Sequence, residues 1–210
     1  MSFRLVAISD THGLHRQLTL PEGDFLIHAG DITGHGQVEQ VVDFNEWLGT
    51  LPHRHKIVIA GNHDFCFENE PAETGALLTN CIYLFDEAIT LDGLNFYGSP
   101  WQPWFFNWAF NLPRGPEIRA KWEQIPDNTD VLITHGPPLG HGDLTSREEL
   151  VGCADLLAVA ETKRPKFHIF GHIHEGYGVT HNAYTTFVNA SSCTLQYQPV
   201  QRPLVLDVSL

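Results

Sequence analysis

Five short apolar runs in this 210-residue chain end alike, in a small or hydroxyl residue followed at once by Asp, Asn or His. Phe3–Ser9 leads to Asp10 and His12, Phe25–Gly30 to Asp31, and Lys56–Gly61 to Asn62, His63 and Asp64. Val131–Thr134 leads to His135, and Phe167–Gly171 to His172 and His174. Runs of this length and β-branched character read as buried strands. The carboxyl ends of strands in an open α/β sheet converge on one crevice, so five distant segments are constrained to build one site. A lone Asp or His after a strand is ordinarily a turn residue or a cap. Five in order, with Gly13, Gly30, Gly61 and Gly171 beside them, imply a shared ligand cluster whose backbone approaches closely. Asp10 and His12 are two residues apart, as are His172 and His174, and in extended chain such pairs point to the same side.

Four further runs, Ala88–Leu91, Asn95–Tyr97, Thr185–Asn189 and Leu204–Val208, also read as strands. Helical spacing lies between several of the nine: Val38, Val41, Val42, Trp47 and Leu48 in one segment, Ile118 and Trp122 in another, and Leu156, Leu157, Val159 and Ala160 in a third. The alternation predicts a layered α/β fold with parallel pairs where helices intervene, and hairpins near Ala88–Tyr97 and at the C-terminus. With no repeat, low-complexity tract or linker, residues 1–210 are expected to form a single domain. Tyr97–Arg114 breaks the pattern as a long aromatic loop. It reads either as a satellite hydrophobic cluster or as a wall, through Trp101 or Trp104, on which a planar group stacks.

Charge excludes whole classes of partner. Twelve Lys+Arg face 25 Asp+Glu, a net charge of −13 with histidines neutral, so neither polymeric nucleic acid nor a membrane surface is an expected partner. The 13 histidines outnumber Lys and Arg together, and imidazole is the commonest metal ligand. His28, His35, His141 and His168 lie near the motifs as supporting residues, whereas His15, His53, His55 and His181 read as surface. Cys66, Cys81, Cys153 and Cys193 form no C-x-x-C pair, which argues against both a zinc knuckle and a disulfide framework. The Phe3–Ile8 run is too short for a signal peptide, and no run approaches the roughly 18 apolar residues of a spanning helix. The expected compartment is the cytoplasm.

In order, Ser9-Asp10-Thr11-His12, Gly30-Asp31, Gly61-Asn62-His63-Asp64, Thr134-His135-Gly136 and Gly171-His172-Ile173-His174 resemble the five motifs of the calcineurin-like metallophosphoesterases. The likeness extends to the metallophosphoesterase-domain-containing branch through residues 27–34, 56–64, 97–103 and 174–178. It implies an α/β/β/α sandwich and a site for two divalent metal ions. One ion would be held by Asp10, His12 and His174, the other by Asn62, His135 and His172, with Asp31 bridging. Such mixed imidazole, carboxylate and amide ligands suit Mn, Fe or Zn without selecting among them.

The resemblance further implies a phosphodiesterase in which a metal-bridging hydroxide attacks phosphorus in line. His63 would face the leaving oxygen, and Asp64 would orient that imidazole. Some members of the branch lack the first histidine of the G-H-x-H motif and are poor enzymes, but His172 is present here. The expected substrate is a small phosphodiester or nucleotide, with cAMP and cGMP foremost, because the motifs have few cationic neighbours to meet a monoester's second charge. Arg16, Arg114 and Arg147 are the nearest by sequence. A metal- and nucleotide-binding regulatory or scaffold protein with low turnover is the alternative, and the sequence leaves the oligomeric state open.

Overall fold

The computed structural model describes residues 2–210 and places two β-sheets face to face between helices. Elements in chain order are β1 Ser2–Ile8, β2 Phe25–Ala29, α1 Val38–Gly49, β3 His55–Ile59, α2 Phe65–Asn69, α3 Pro71–Gly75, β4 Ile82–Tyr83, β5 Glu87–Leu91 and β6 Leu94–Ser99. There follow β7 Gln102–Pro103, β8 Asn111–Leu112, α4 Pro116–Trp122, β9 Val131–Thr134, α5 Ala154–Lys163, β10 Phe167–Phe170, β11 Gly178–His181, β12 Thr186–Asn189 and β13 Leu204–Ser209. The first sheet runs β13-β1-β2-β3-β4 and the second β11-β12-β10-β9-β6-β5. Both are parallel at their centres, with antiparallel strands at three of the four edges.

Burial divides the fold into four layers. Leu5, Ala7, Ile27 and Ile59 of the first sheet meet Phe96, Val131, Ile133 and Ile169 of the second in an inner core. Alternate residues of the same strands point outward, as the two-residue period of a strand requires. Val6, Ile8, Leu26 and Val58 pack under α1, whose Val41, Phe44, Trp47 and Leu48 form one buried stripe. On the far side, Tyr97 and Leu132 lie under Ile118 and Trp122 of α4 and Leu156 of α5. The result is the expected α/β/β/α sandwich. Among the described residues no helix is long and apolar enough to cross a membrane.

Several local expectations are corrected. Val38 and Val42 belong to α1 but face solvent, because the buried stripe passes through Val41 and Phe44 instead. The C-terminal strand β13 makes no hairpin with its predecessor; it crosses to pair antiparallel with β1, and the hairpin is β11–β12. His15 and His53 are buried rather than on the surface. The first packs on Phe44 and Trp47, and the Nε2 of the second lies 3.0 Å from the Pro21 carbonyl oxygen.

The topology aims the parallel strands' carboxyl ends at one edge of the sandwich. Asp10, Asp31 and Asn62 follow β1, β2 and β3 of the first sheet, and His135 and His172 follow β9 and β10 of the second. Ser9 and Ser191 form a parallel bridge across the seam, extended by Ser192 N–H donating to Ser9 O at 2.8 Å.

Candidate metal centre

Backbone geometry delivers the side chains. Asp10, His12, Asp31 and His172 have φ of 50°, 45°, 58° and 68°, in the left-handed region, which L-residues adopt at a cost. The pairs Asp10/His12 and His172/His174 therefore reach a common side through turns, not through the extended chain expected from their spacing. Interstrand hydrogen bonds hold these turns. Asp10 N–H donates to Gly30 O at 2.9 Å, His12 N–H to Asp31 O at 3.0 Å and Gly13 N–H to Ile32 O at 2.7 Å. Two glycines leave room: a Cβ at Gly171 would overlap the Asp10 carboxylate and Ser9, and one at Gly30 would stand 2.5 Å from His135 Nδ1.

Three overlapping groups bring their ligand atoms within 4.8 Å of one another: Asp10/His12/His174, Asp10/Asp31/His135 and His12/Asp31/His63. His174 Nε2 lies 3.4 Å from Asp10 Oδ1 and 3.3 Å from His12 Nε2. His135 Nε2 lies 3.4 Å from Asp31 Oδ1 and 2.8 Å from Asn62 Oδ1, which is also 2.7 Å from His172 Nδ1. Asp31 thus stands between an Asp10/His12/His174 group and an Asn62/His135/His172 group, and all of these except half-buried His172 are buried.

Whether this set suits a cation can be tested on its hydrogen bonds. Backbone carbonyls face Nδ1 in three rings: Gly34 O at His63 (2.7 Å), Ala29 O at His135 (2.9 Å) and Thr194 O at His174 (2.9 Å). A carbonyl only accepts, so each Nδ1 carries the proton, and the neutral ring turns its Nε2 lone pair inward. At His135 that lone pair meets Asn62 Oδ1, and at His174 it meets His12 Nε2. The first contact sets acceptor against acceptor in a buried site and calls for a proton or a metal ion between them; in the second, the His12 ring, whose Nδ1 meets no partner, is free to carry its proton on Nε2.

The titration shifts describe the same demand in the metal-free chain. Burial opposes charge on His135 and His174, but the carboxylate of Asp31 in one case and of Asp10 in the other outweighs it and raises both to about 9. Burial also opposes ionisation of Asp10 and Asp31; their imidazole partners nevertheless hold both carboxyls below the ordinary range. Burial lowers His12 to about 4 and His172 to about 3, leaving neutral rings ready to ligate. The donor set fits divalent metal ions.

Asp64 departs from its expected role. The His63 ring is oriented by the Gly34 carbonyl, while the Asp64 carboxylate accepts from the N–H groups of Ile32 (3.1 Å), Thr33 (2.8 Å) and Gly61 (2.9 Å) and from the Thr33 hydroxyl (2.9 Å). Burial, then the charge of Asp31, pushes its carboxyl up to about 6 against those bonds. Asp64 is a positioning residue that ties the Asp31 loop to the Asn62 loop. Replacing it with Ala strands three buried N–H groups, and denaturant unfolding of metal-free protein should show a loss of about 2–4 kcal/mol. A loss below about 1 kcal/mol would refute this role.

Other contributors act without being ligand side chains. The hydroxyl of Ser191 donates to Asp10 Oδ2 at 2.9 Å, and His172 N–H lies 3.0 and 3.1 Å from the two oxygens of the same carboxylate. His28 Nε2, 2.9 Å from Thr11 Oγ1, and His168 Nε2, 2.8 Å from Thr134 Oγ1, brace the loops after β1 and β9 from below. Trp101 is turned away from the centre: its indole N–H donates to Asp86 and Lys121 lies over its ring. Trp104 is exposed. Two rings of the aromatic loop reach the centre: Trp108, stacked on His63 with centroids 4.2 Å apart, and Phe105, edge-on to His172 at 6.1 Å.

Comparisons with known proteins show where the sequence and the fold recur. The family model described as calcineurin-like phosphoesterase matches residues 3–176. Metallophosphoesterase domain-containing protein 1 of Homo sapiens is 48% identical over 230 residues, spanning 98% of this chain and 71% of that protein. A 3',5'-cyclic-nucleotide phosphodiesterase of Nostoc sp. is 22% identical over 218 residues, covering 90% and 70% of the two chains. In three dimensions, the protein TT1561 of Thermus thermophilus shares the fold with a TM-score of 0.60 at 13% identity, over 90% of this chain and 89% of that one.

Proposed function

The chain belongs to the calcineurin-like phosphoesterase family and is a metal-dependent phosphoester hydrolase, and from that premise we propose that it is a two-metal phosphodiesterase acting on small diesters, cyclic nucleotides such as cAMP and cGMP foremost. The observation that carries this reading is the division of the ligands into two groups that share Asp31. Two divalent ions held by Asp10, His12 and His174, and by Asn62, His135 and His172, would supply Lewis acidity to the phosphoryl oxygens and a lowered pKa to the attacking water.

The chain's own residues account for the remainder. Asp10 and Asp31 contribute only two negative charges to the centre, so the loaded site remains attractive to a phosphoryl group despite the acidic total. His63, anchored at Nδ1 by Gly34, directs Nε2 towards the centre 3.9 Å from Asp31 Oδ2. Because Nδ1–H is already given to Gly34, donation from Nε2 requires the doubly protonated ring, and in that form it stabilises or protonates a departing oxygen. Among the described residues no Arg or Lys pairs with any of the ligands. Arg16 is engaged by Asp43, and Arg114 donates to the Val151 and Gly152 carbonyls. The absence of such a clamp favours a singly charged diester over a doubly charged monoester.

The distant Nostoc relative supports cyclic nucleotides in particular. Manganese is the ion we propose for the assay, and cytoplasm the compartment, in keeping with four cysteines left unpaired. Neither polymeric nucleic acid nor a membrane is proposed as a partner. The test is hydrolysis of bis(p-nitrophenyl) phosphate, cAMP and cGMP by protein stripped with a chelator and reloaded with Mn²⁺. Turnover of all three should return only with the metal. No turnover by fully loaded protein would remove the enzyme reading, and turnover of the first alone would remove cyclic nucleotides.

A further inference from the structure

Two loops place aromatic rings around the mouth of the centre. In the first, Ala109 N–H donates to the backbone oxygen of the ligand Asn62 at 3.1 Å. That bond fixes the adjacent Trp108 against His63, with an interplanar angle of 29°. Phe105 of the same loop is exposed and stands edge-on to His172 at 6.1 Å.

The second loop is the turn at Thr194–Gln198. Thr194 O accepts from Tyr197 N–H at 2.8 Å and also faces His174 Nδ1, so one carbonyl fixes both a ligand ring and the turn beside it. Tyr197 has φ 55°. A bulky side chain in that region marks a conformation imposed by its surroundings. Its ring centroid lies 4.8 Å from His12, 5.6 Å from His174 and 6.2 Å from His63, yet 47% of the residue remains open to solvent. An aromatic ring held at strain in edge-type contact with three site imidazoles and half open to solvent has surface to offer a ligand.

We propose that Trp108 and Tyr197 are specificity-determining residues that receive the flat, uncharged aromatic group of the substrate, a nucleobase in particular, beside the metal centre. The inference rests on the phosphodiesterase reading and deepens it. The side chains seen against the site imidazoles from these two loops are aromatic, and base-on-aromatic stacking is the contact such rings make with a planar group. It also moves the stacking role from Trp101, engaged by Asp86 and Lys121, and from exposed Trp104 to two rings that meet His63.

The experiment measures binding of AMP and of ribose 5-phosphate, which differ by the base, to Mn²⁺-loaded protein. AMP should bind at least about tenfold more tightly than ribose 5-phosphate. Tyr197→Ala, Tyr197→Leu and Trp108→Ala should each weaken AMP by about tenfold and ribose 5-phosphate by less than about twofold. Tyr197→Phe should keep the preference, because the ring face carries it. Equal affinity of the two ligands for the wild type, or equal weakening of both in the variants, would overturn the proposal. So would loss of bound Mn²⁺ in Tyr197→Leu, which would make the ring a mere cover for the ligands. Turnover of bis(p-nitrophenyl) phosphate on the same samples separates the two readings. An active protein indifferent to the base fails this inference alone, and an inactive one that prefers AMP fails the phosphodiesterase reading alone.

Discussion

Asp31→Asn should lose both metal ions and reduce turnover of bis(p-nitrophenyl) phosphate by about a thousandfold or more, equivalent to roughly 4 kcal/mol in the barrier. The Asp31 carboxylate stands between the two ligand groups, with Oδ1 3.4 Å from His135 Nε2 and Oδ2 3.9 Å from His12 Nε2. An amide in its place halves the centre's negative charge and turns an –NH₂ towards a cation or an imidazole. Asp31 Oδ1 also accepts from His63 N–H at 2.8 Å, a bond the amide oxygen can retain, so the loop should survive while the site does not. Metal analysis of purified protein checks this. Retention of even one full equivalent of metal would show that Asp31 does not bridge.

His63→Ala should do the opposite, leaving metal content near normal and cutting turnover by roughly 10²–10⁴-fold. The ring stands on the Gly34 carbonyl, stacks on Trp108 and keeps its Nε2 3.9 Å from the Asp31 carboxylate, so neither ligand group depends on it. A residue that donates a proton to the departing oxygen matters most when that oxygen is a poor leaving group. The loss should therefore be greater for cAMP, which expels an alkoxide, than for bis(p-nitrophenyl) phosphate, whose phenolate departs readily. Equal losses on both substrates would point to a positioning role, and loss of metal would make His63 a ligand.

Much of this was legible in the chain because strands announce themselves through burial. Each of the five apolar runs is buried on both faces towards its carboxyl end and carries no Asp, Glu, Lys or Arg there until the strand stops, where Asp31 or His135 marks the boundary; buried His28 and His168 are polar residues within two of them. That is why the strand ends and their ligands could be read together. Order within the sandwich was less legible: β13 pairs with β1 across almost the whole length of the chain, and nothing in Leu204–Ser209 distinguishes that partner from a nearer one. Least legible were contributions made by backbone atoms. The carbonyls of Ala29, Gly34 and Thr194 set three imidazole tautomers, yet a carbonyl is common to every residue and leaves no trace in composition or spacing. Tyr197 and Trp108 were hidden for another reason, since their importance lies in where a turn carries them. Asp64 shows the converse, a motif residue whose carboxylate meets backbone N–H groups instead of the imidazole expected.

The bridge between Ser9 and Ser191 crosses a seam that the ligands cross as well. Asp10 and His12 come from the first sheet and His174 from the second; Asn62 comes from the first, and His135 and His172 from the second. Each group therefore draws on both sheets, so an ion held by either group would act as a rivet through the two. Ligands that bind only the folded state stabilise it by mass action, and here the gain falls on the joint between two layers that each have their own hydrogen-bonded ladder. The inner core of Leu5, Ile59, Ile133 and Ile169 holds the same joint without metal, so ions would add to the lifetime of the sandwich as well as to its chemistry.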